Sequence, residues 1–127
     1  MAANAWRWPS FTPLEMADNH SGELLLVPSF MDWLQGLRDA YGKPIRVTSG
    51  YRTRQHQRKL TGRDTGAHVD GQAVDVAVSG PDAFDLVKLA MEAGAMGVGV
   101  FQAGPHAGRY LHLDYWDKRE TQVLWSY

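Results

Sequence analysis

An aspartate inside a short apolar strand is the feature that most constrains this chain. Residues 73–78 alternate as in a β-strand, so Ala73, Asp75 and Ala77 share one face and three valines share the other. An ionised carboxylate in such a strand is costly to bury without a partner. A metal ion is one of the few partners that can stabilise it. The sequence therefore predicts that the fold brings further metal ligands to Asp75.

Two histidines are the candidates for those ligands. His68 precedes the strand, and the loop containing Gly71 can fold back to bring it to Asp75, while His112 lies in a second strand-like segment, residues 109–115. A catalytic zinc takes three protein ligands and keeps one position open, and two imidazoles with a carboxylate are a common set. The chain has no cysteine, which excludes disulfides and thiolate zinc sites.

Asp114 follows His112 by two residues, so its side chain points to the same face of the sheet. There it could take part in proton transfer or orient the imidazole of His112, and the spacing alone leaves both roles open. Among the other histidines, His20 and His56 are interpreted as surface or core residues. His106, in the loop before His112, remains a candidate for the site.

Hydrophobic periodicity predicts two long helices and a small sheet. An apolar stripe at i, i+3, i+4, i+7 and i+11 predicts a helix over residues 29–41, with Ser29 and Asp32 at the spacing of a capping box. Pro81 begins a second helix that ends near Gly94. The remaining elements are a helical turn after Thr12, a polar helix over residues 53–60, strands over 45–48, 73–78, 97–101 and 109–115, and a short strand near 123–125. Their order predicts an α+β fold, with helices packed against a mainly antiparallel sheet.

Length and composition indicate one domain without membrane or nucleic-acid partners, and we expect it to be a monomer. The 127 residues fit a single domain, residues 1–127, in which residues 1–27 form an arm packed on the rest. The formal net charge is -1, and no apolar run is long enough for a signal peptide or a membrane span. A basic stretch is interpreted as a solvated helix face beside an anion-binding cleft, and nucleic-acid binding is the alternative interpretation. This stretch contains Arg46, Tyr51, Arg52, Arg54, Arg58, Lys59 and Arg63.

Several segments, in order, resemble a known family of zinc peptidases. Residues 68–75, HVDGQAVD, resemble the H-x-x-G-x-A-x-D signature of zinc D-alanyl-D-alanine carboxypeptidases and related phage endolysins. Residues 110–114, YLHLD, are similar to the later strand motif of that family, and residues 42–52, GKPIRVTSGYR, to its first strand segment. Residues 11–16 and 123–127 resemble its N-terminal stretch and the tail of phage-type members. Together these segments are much more specific than any one of them.

The resemblance implies a hedgehog-like zinc fold with one Zn²⁺ per chain, held by His68, Asp75 and His112. Arg52 would lie near the site and bind the carboxylate or polarise the carbonyl of the substrate, with Tyr51 beside it. The substrate would be a stem peptide of bacterial peptidoglycan.

Two departures from the family pattern affect the implied mechanism. Gly66 stands where the family usually has serine, which removes a hydroxyl near the substrate. Arg109 stands where several members carry the catalytic acid, and an arginine cannot act as a general base at neutral pH. Asp114 is then the first candidate for the base, with His106 second and Asp70 third.

The same residues support a second interpretation, in which the domain binds wall peptide without cutting it. Arg109 favours such a catalytically inactive, zinc-stabilised module, whereas Arg52, His112 and Asp114 favour catalysis. For an enzyme, the cleaved bond remains open between a terminal D-Ala and an internal bond such as L-Ala–D-Glu. Without a signal peptide, we expect cytoplasmic synthesis and release to the cell wall by a phage or holin-type route.

Overall fold

The computed structural model describes residues 6–127, and the first five residues of the predicted arm lie outside them. The helices are α1 (Pro13–Met16), α2 (Pro28–Tyr41), α3 (Arg54–Thr61) and α4 (Gly80–Glu92). The strands are β1 (Val47–Ser49), β2 (Ala73–Ala77), β3 (Gly97–Phe101), β4 (Tyr110–Asp114) and β5 (Val123–Ser126). The fold is α+β, as predicted, although β1 begins two residues later than expected. None of the helices between residues 6 and 127 is long and apolar enough to cross a membrane.

The five strands form one sheet in the order β1-β2-β4-β3-β5. Neighbouring strands are antiparallel except β3 and β5, which are parallel. This confirms the mainly antiparallel sheet and the predicted hairpin of β3 and β4. The C-terminal tail adds the edge strand β5. One row of the register crosses the sheet from Asp75 through His112 and Gly99 to Trp125.

The two faces of the sheet differ because side chains alternate along each strand. One face is apolar and is buried in a core that also takes in residues of α2, α4 and the N-terminal arm, including Trp8, Phe11, Phe30, Leu34, Leu37, Val74, Val76, Leu86, Ala90, Val98, Leu111 and Leu113. The opposite face carries the row that contains Asp75 and His112. The alternation therefore separates the core from the polar site within the same strands.

The beginning of α2 differs from the prediction. The helix begins at Pro28, which is tolerated there because the first-turn N–H has no partner to lose, and its N-cap makes no side-chain hydrogen bond. The capping box expected from Ser29 and Asp32 is therefore wrong. The carboxylate of Asp32 instead accepts a hydrogen bond from Nε1 of Trp8 at 2.8 Å, which connects the arm to the helix. The cap expected at Thr12 is present at α1.

A buried aspartate joins the N-terminal arm to α3. Asp18 is 2% exposed, and its carboxylate accepts hydrogen bonds from the backbone N–H groups of His20, Ser21 and Thr53 and from Nδ1 of His56, at 2.7 to 2.9 Å. Burial alone would raise its pKa, but these donors hold the pKa of Asp18 well below its ordinary value of 3.8. The carboxylate is thus ionised and stabilises the start of α3.

Replacing Asp18 with alanine is expected to destabilise the fold by about 2–4 kcal/mol, because three backbone N–H groups and the buried imidazole of His56 lose their acceptor. The folded pKa is depressed, so the contribution of Asp18 is complete above pH 3.8 and is lost as the pH falls through the folded value. Urea unfolding of Asp18→Ala and of the exposed control Asp85→Ala, at pH 7 and at pH 3, would measure both effects. Equal midpoints for the two variants at pH 7 would contradict the role of Asp18.

Candidate metal centre

Three side chains on the polar face of the sheet meet at one point. His68 comes from the turn before β2, Asp75 from the middle of β2, and His112 from β4, directly opposite Asp75 in the register. Each offers one ligand atom, and these atoms lie within 4.8 Å of one another. Oδ1 of Asp75 is 3.2 Å from Nε2 of His68 and 3.3 Å from Nδ1 of His112. The loop that the sequence predicted to fold back does bring His68 to Asp75.

Hydrogen bonds behind the two imidazoles decide which nitrogen of each ring faces the centre. Nδ1 of His68 lies 2.7 Å from the carbonyl oxygen of Gly50, which can only accept, so this nitrogen carries the proton. Nε2 of His112 lies 2.6 Å from Oδ2 of Asp114 and donates to it. The lone pairs of Nε2 of His68 and Nδ1 of His112 therefore point toward Asp75. Two neutral imidazole nitrogens and one carboxylate oxygen fit a zinc ion with an open coordination position.

The electrostatics of the three groups also suit a cation. Burial lowers the pKa of His68, which favours its neutral form. Burial opposes ionisation of Asp75, but the adjacent imidazoles of His112 and His68 hold the pKa of Asp75 well below its ordinary range. For His112, burial is outweighed by the carboxylates of Asp114 and Asp75, which raise the pKa of its imidazole. A proton and a metal ion would compete for the same nitrogen of His112, so metal affinity falls as the pH falls.

Asp114 lies behind His112 rather than in the open cleft. Its side chain has no exposed surface, and its carboxylate also pairs with Arg119, whose Nη2 is 3.0 Å from Oδ2. Gly97 makes room for this pair, because a Cβ on Gly97 would overlap the Asp114 carboxylate and approach Nε of Arg119. Of the two roles that the spacing left open, the geometry favours orientation of His112 over direct proton transfer.

Arg52 is held against the centre. Its Nη2 donates to Oδ2 of Asp75 at 2.7 Å, Nη1 donates to Oε1 of Gln57 at 3.1 Å, and Nε donates to Oγ of Ser49 at 3.1 Å. Because Oδ2 of Asp75 is engaged in this way, Oδ1 is the oxygen that faces the two histidines. A guanidinium has five N–H groups, so two remain for a substrate. Arg52 thus combines the expected position beside the site with a contact to the candidate ligand Asp75.

These groups lie in a cleft of about 430 Å³. Besides the three candidate ligands, Arg52 and Arg119, the cleft is lined by Gln57, Leu60, Thr61, Gly66, Ala67, Tyr110, Trp116, Trp125 and Tyr127. Among the described residues that line it, the only side-chain carboxylate is that of Asp75.

Several residues singled out in the sequence lie outside this cleft. Tyr51 lines a separate small cavity with Met16, and its backbone N–H donates to the carbonyl of Met16. His106 is exposed in the loop between β3 and β4, where its Nδ1 is 3.3 Å from Oγ of Ser79. Arg109 lines a groove beside α4 and donates to a backbone carbonyl. Asp70 accepts hydrogen bonds from Lys118 and Trp116.

Several cleft residues were not recognised in the sequence as part of the site, among them Gln57, Arg119, Trp125 and Tyr127. Gln57 lies on the polar helix α3, five residues after Arg52, and its burial there is visible only in the structure. Arg119 follows Asp114 by five residues with no regular element between them, so no periodicity indicates it. Trp125 and Tyr127 depend on the parallel pairing of β5 with β3, which the sequence did not predict.

Comparison with known proteins identifies the family. The family model for Peptidase M15 matches residues 9–114, which is most of the chain. No curated protein and no solved structure gives a significant match. The matched region contains all three residues of the His–Asp–His cluster and ends before Arg119 and β5. The chain therefore belongs to the Peptidase M15 family, and this membership together with the cluster supports a zinc metallopeptidase-type function.

Proposed function

We propose that this protein binds one zinc ion per chain and hydrolyses stem peptides of bacterial peptidoglycan. The observation that carries the proposal is the convergence of Nε2 of His68, Oδ1 of Asp75 and Nδ1 of His112 in an open cleft. When bound, zinc would polarise the scissile carbonyl and make a water molecule more acidic. The family resemblance in the sequence supplies the substrate class.

The side chains around the cluster perform the positioning. Asp114 and the carbonyl of Gly50 fix the two imidazoles in the tautomers that leave the inward nitrogens free, and Arg52 fixes the rotation of the Asp75 carboxylate. The remaining N–H groups of Arg52 and the amide of Gln57 can hold a carboxylate or carbonyl oxygen of the peptide beside the scissile bond. Rigid placement of this kind is a main source of catalytic rate.

A zinc-stabilised binding module is the second candidate function. One observation favours it: among the described residues lining the cleft, no side-chain carboxylate is free of the metal cluster to act as a general base. In this case the cleft would hold wall peptide without cleaving it, and zinc would stabilise the fold.

Digestion of purified peptidoglycan distinguishes the two candidates. We expect the zinc-loaded protein to release peptide fragments, identified by mass, and a chelator to stop their release. Addition of zinc to the chelated protein should restore release, which excludes damage by the chelator. One zinc per chain with no fragments at any enzyme concentration would instead support the binding module, and a chain that binds no zinc would contradict both.

A further inference from the structure

The cleft continues from the candidate metal centre onto a surface of aromatic rings. We call this surface the aromatic shelf; it consists of Tyr110, Trp125 and Tyr127, with Phe101 packed beside Tyr110. The ring centroid of Trp125 is 5.0 Å from that of His112 and 6.5 Å from that of Tyr127, and the Tyr127 ring is 5.4 Å from that of Tyr110. The shelf therefore begins in contact with the His112 imidazole and extends away from it.

The strand register explains why a tryptophan lies beside a candidate metal ligand. Gly99 pairs with His112 on one side and with Trp125 on the other. A Cβ on Gly99 would lie 2.6 Å from Nε1 of Trp125, so only glycine lets the indole lie across β3 and reach His112. Tyr110 and Phe101 form the neighbouring row, and Tyr127 extends it through a hydrogen bond from its backbone N–H to the carbonyl of Val100.

The shelf combines partly exposed aromatic rings with hydrogen-bonding groups. Tyr127 is 60% exposed and Trp125 is only partly buried, so neither serves mainly to fill the core. The guanidinium of Arg119 lies 5.1 Å from the centre of the Trp125 ring, and Thr61 lines the same cleft. A pyranose ring matches this arrangement, because its axial C–H groups pack on an aromatic face while its hydroxyl groups bind polar side chains at the edge.

We propose that the aromatic shelf binds the sugar ring that carries the stem peptide. The proposal rests on the proposed function, because peptidoglycan is the peptide substrate in which a sugar is covalently attached to the first residue. The amino acids of the stem offer methyl, amine and carboxylate groups, none of which presents a flat face of similar size to a tryptophan or tyrosine ring.

The position of the shelf also selects the bond to be cleaved. An extended chain spans roughly 3.5 Å per residue, so a one-residue spacer reaches from the shelf to the metal cluster, which adjoins it. A terminal D-Ala bond lies about four residues from the sugar, or roughly 14 Å in an extended chain, which is longer than the path from the His112 ring through Trp125 to Tyr127 at the far end of the shelf. The geometry thus favours cleavage after the first residue, between L-Ala and D-Glu.

Direct binding tests the shelf without requiring turnover. The probes are N-acetylmuramyl-L-alanine and N-acetyl-L-alanine, which lack the scissile bond and differ in the sugar; their affinities for the zinc-loaded protein are measured by calorimetry. We expect the sugar to increase affinity by about 10-fold, and Tyr127→Ala or Trp125→Leu to reduce this gain by roughly 3- to 10-fold. Tyr127→Phe should keep most of the gain because it keeps the ring. Phe84→Ala, an equally bulky change at a 72% exposed residue of α4 outside the cleft, is the matched control.

Tyr127 is exposed, so its replacement tests the shelf even if Trp125→Leu fails to fold. Equal affinity of the two probes for the unaltered protein would overturn the sugar site while leaving peptidoglycan hydrolysis intact. Sugar-dependent binding without hydrolysis would support the shelf and contradict the proposed peptidase function. Fragments that begin with D-Glu support the predicted bond, whereas release of D-Ala alone would contradict it.

Discussion

Replacing either His68 or His112 with alanine is expected to abolish zinc binding and peptidase activity together. Each variant removes one of the three candidate ligand atoms found within residues 6–127, and Asp75 cannot hold the ion with a single imidazole in a site open to water. The loss of affinity should exceed the ~10–100-fold that follows from removal of an outer hydrogen-bond partner. Equilibrium dialysis against buffered zinc measures affinity, and peptidoglycan digestion measures activity.

The control for these variants is His20→Ala. His20 is exposed, stacks on His56 and lies outside the cleft, so zinc binding and activity should stay within about 2-fold of the unaltered protein. Circular dichroism of all variants verifies the fold. Stoichiometric zinc in a protein that lacks both His68 and His112 would show that the metal lies elsewhere.

The second large effect is expected for Asp114→Asn. Because Asp114 is fully buried behind His112, its replacement should act through the imidazole that it orients, and weaken zinc binding by ~10–100-fold. At saturating zinc, turnover should largely recover. Long-range nitrogen–proton NMR spectra should also show a mixture of His112 tautomers, since the amide no longer requires a proton on Nε2. Asparagine preserves the volume of the side chain, so the core next to it should stay packed.

The competing role for Asp114, direct proton transfer, predicts a different pattern. In that case zinc affinity would be unchanged and turnover would fall by ~10²–10⁴-fold even with saturating zinc. Asp117→Asn, an exposed carboxylate in the loop that follows β4, is the matched control and should affect neither quantity. The two patterns differ in affinity and in turnover at saturation, so one titration series decides between them.

Arg119 extends the same chain of contacts from the metal cluster to the aromatic shelf. It pairs with Asp114, and its guanidinium also lies over the rings of Trp116 and Trp125. Arg119, which pairs with the hydrogen-bond partner of His112, is thus also part of the cleft wall on which we propose that the sugar lies. The candidate metal cluster and the proposed sugar site are thus joined by one connected set of side chains, as expected of a site that must hold metal and substrate in fixed relation.

Much of the secondary structure follows from local pattern. The apolar stripe of α2 and the alternation in β2 predict their elements because helices and strands place side chains at fixed periods. The start of α2 was misplaced because both Ser29 and Pro28 are suitable near a helix N-terminus, and Trp8, 24 residues away from Asp32 in the chain, engages the carboxylate that would have capped it. A tertiary contact thus decided which group the Asp32 carboxylate binds.

The sequence by itself determined the cluster of candidate ligands. A carboxylate in an apolar strand needs a partner, and only a few side chains in a cysteine-free chain can supply a metal site with it. Only the tertiary structure decided what surrounds that cluster. Tyr51 and His106 are close in sequence to site residues but lie outside the cleft, whereas Trp125 enters it through parallel pairing of β5 with β3. The physical reason is that the cost of a buried charge and the period of a strand are local properties, while the convergence of side chains depends on strand pairing and loop packing between residues far apart in the chain.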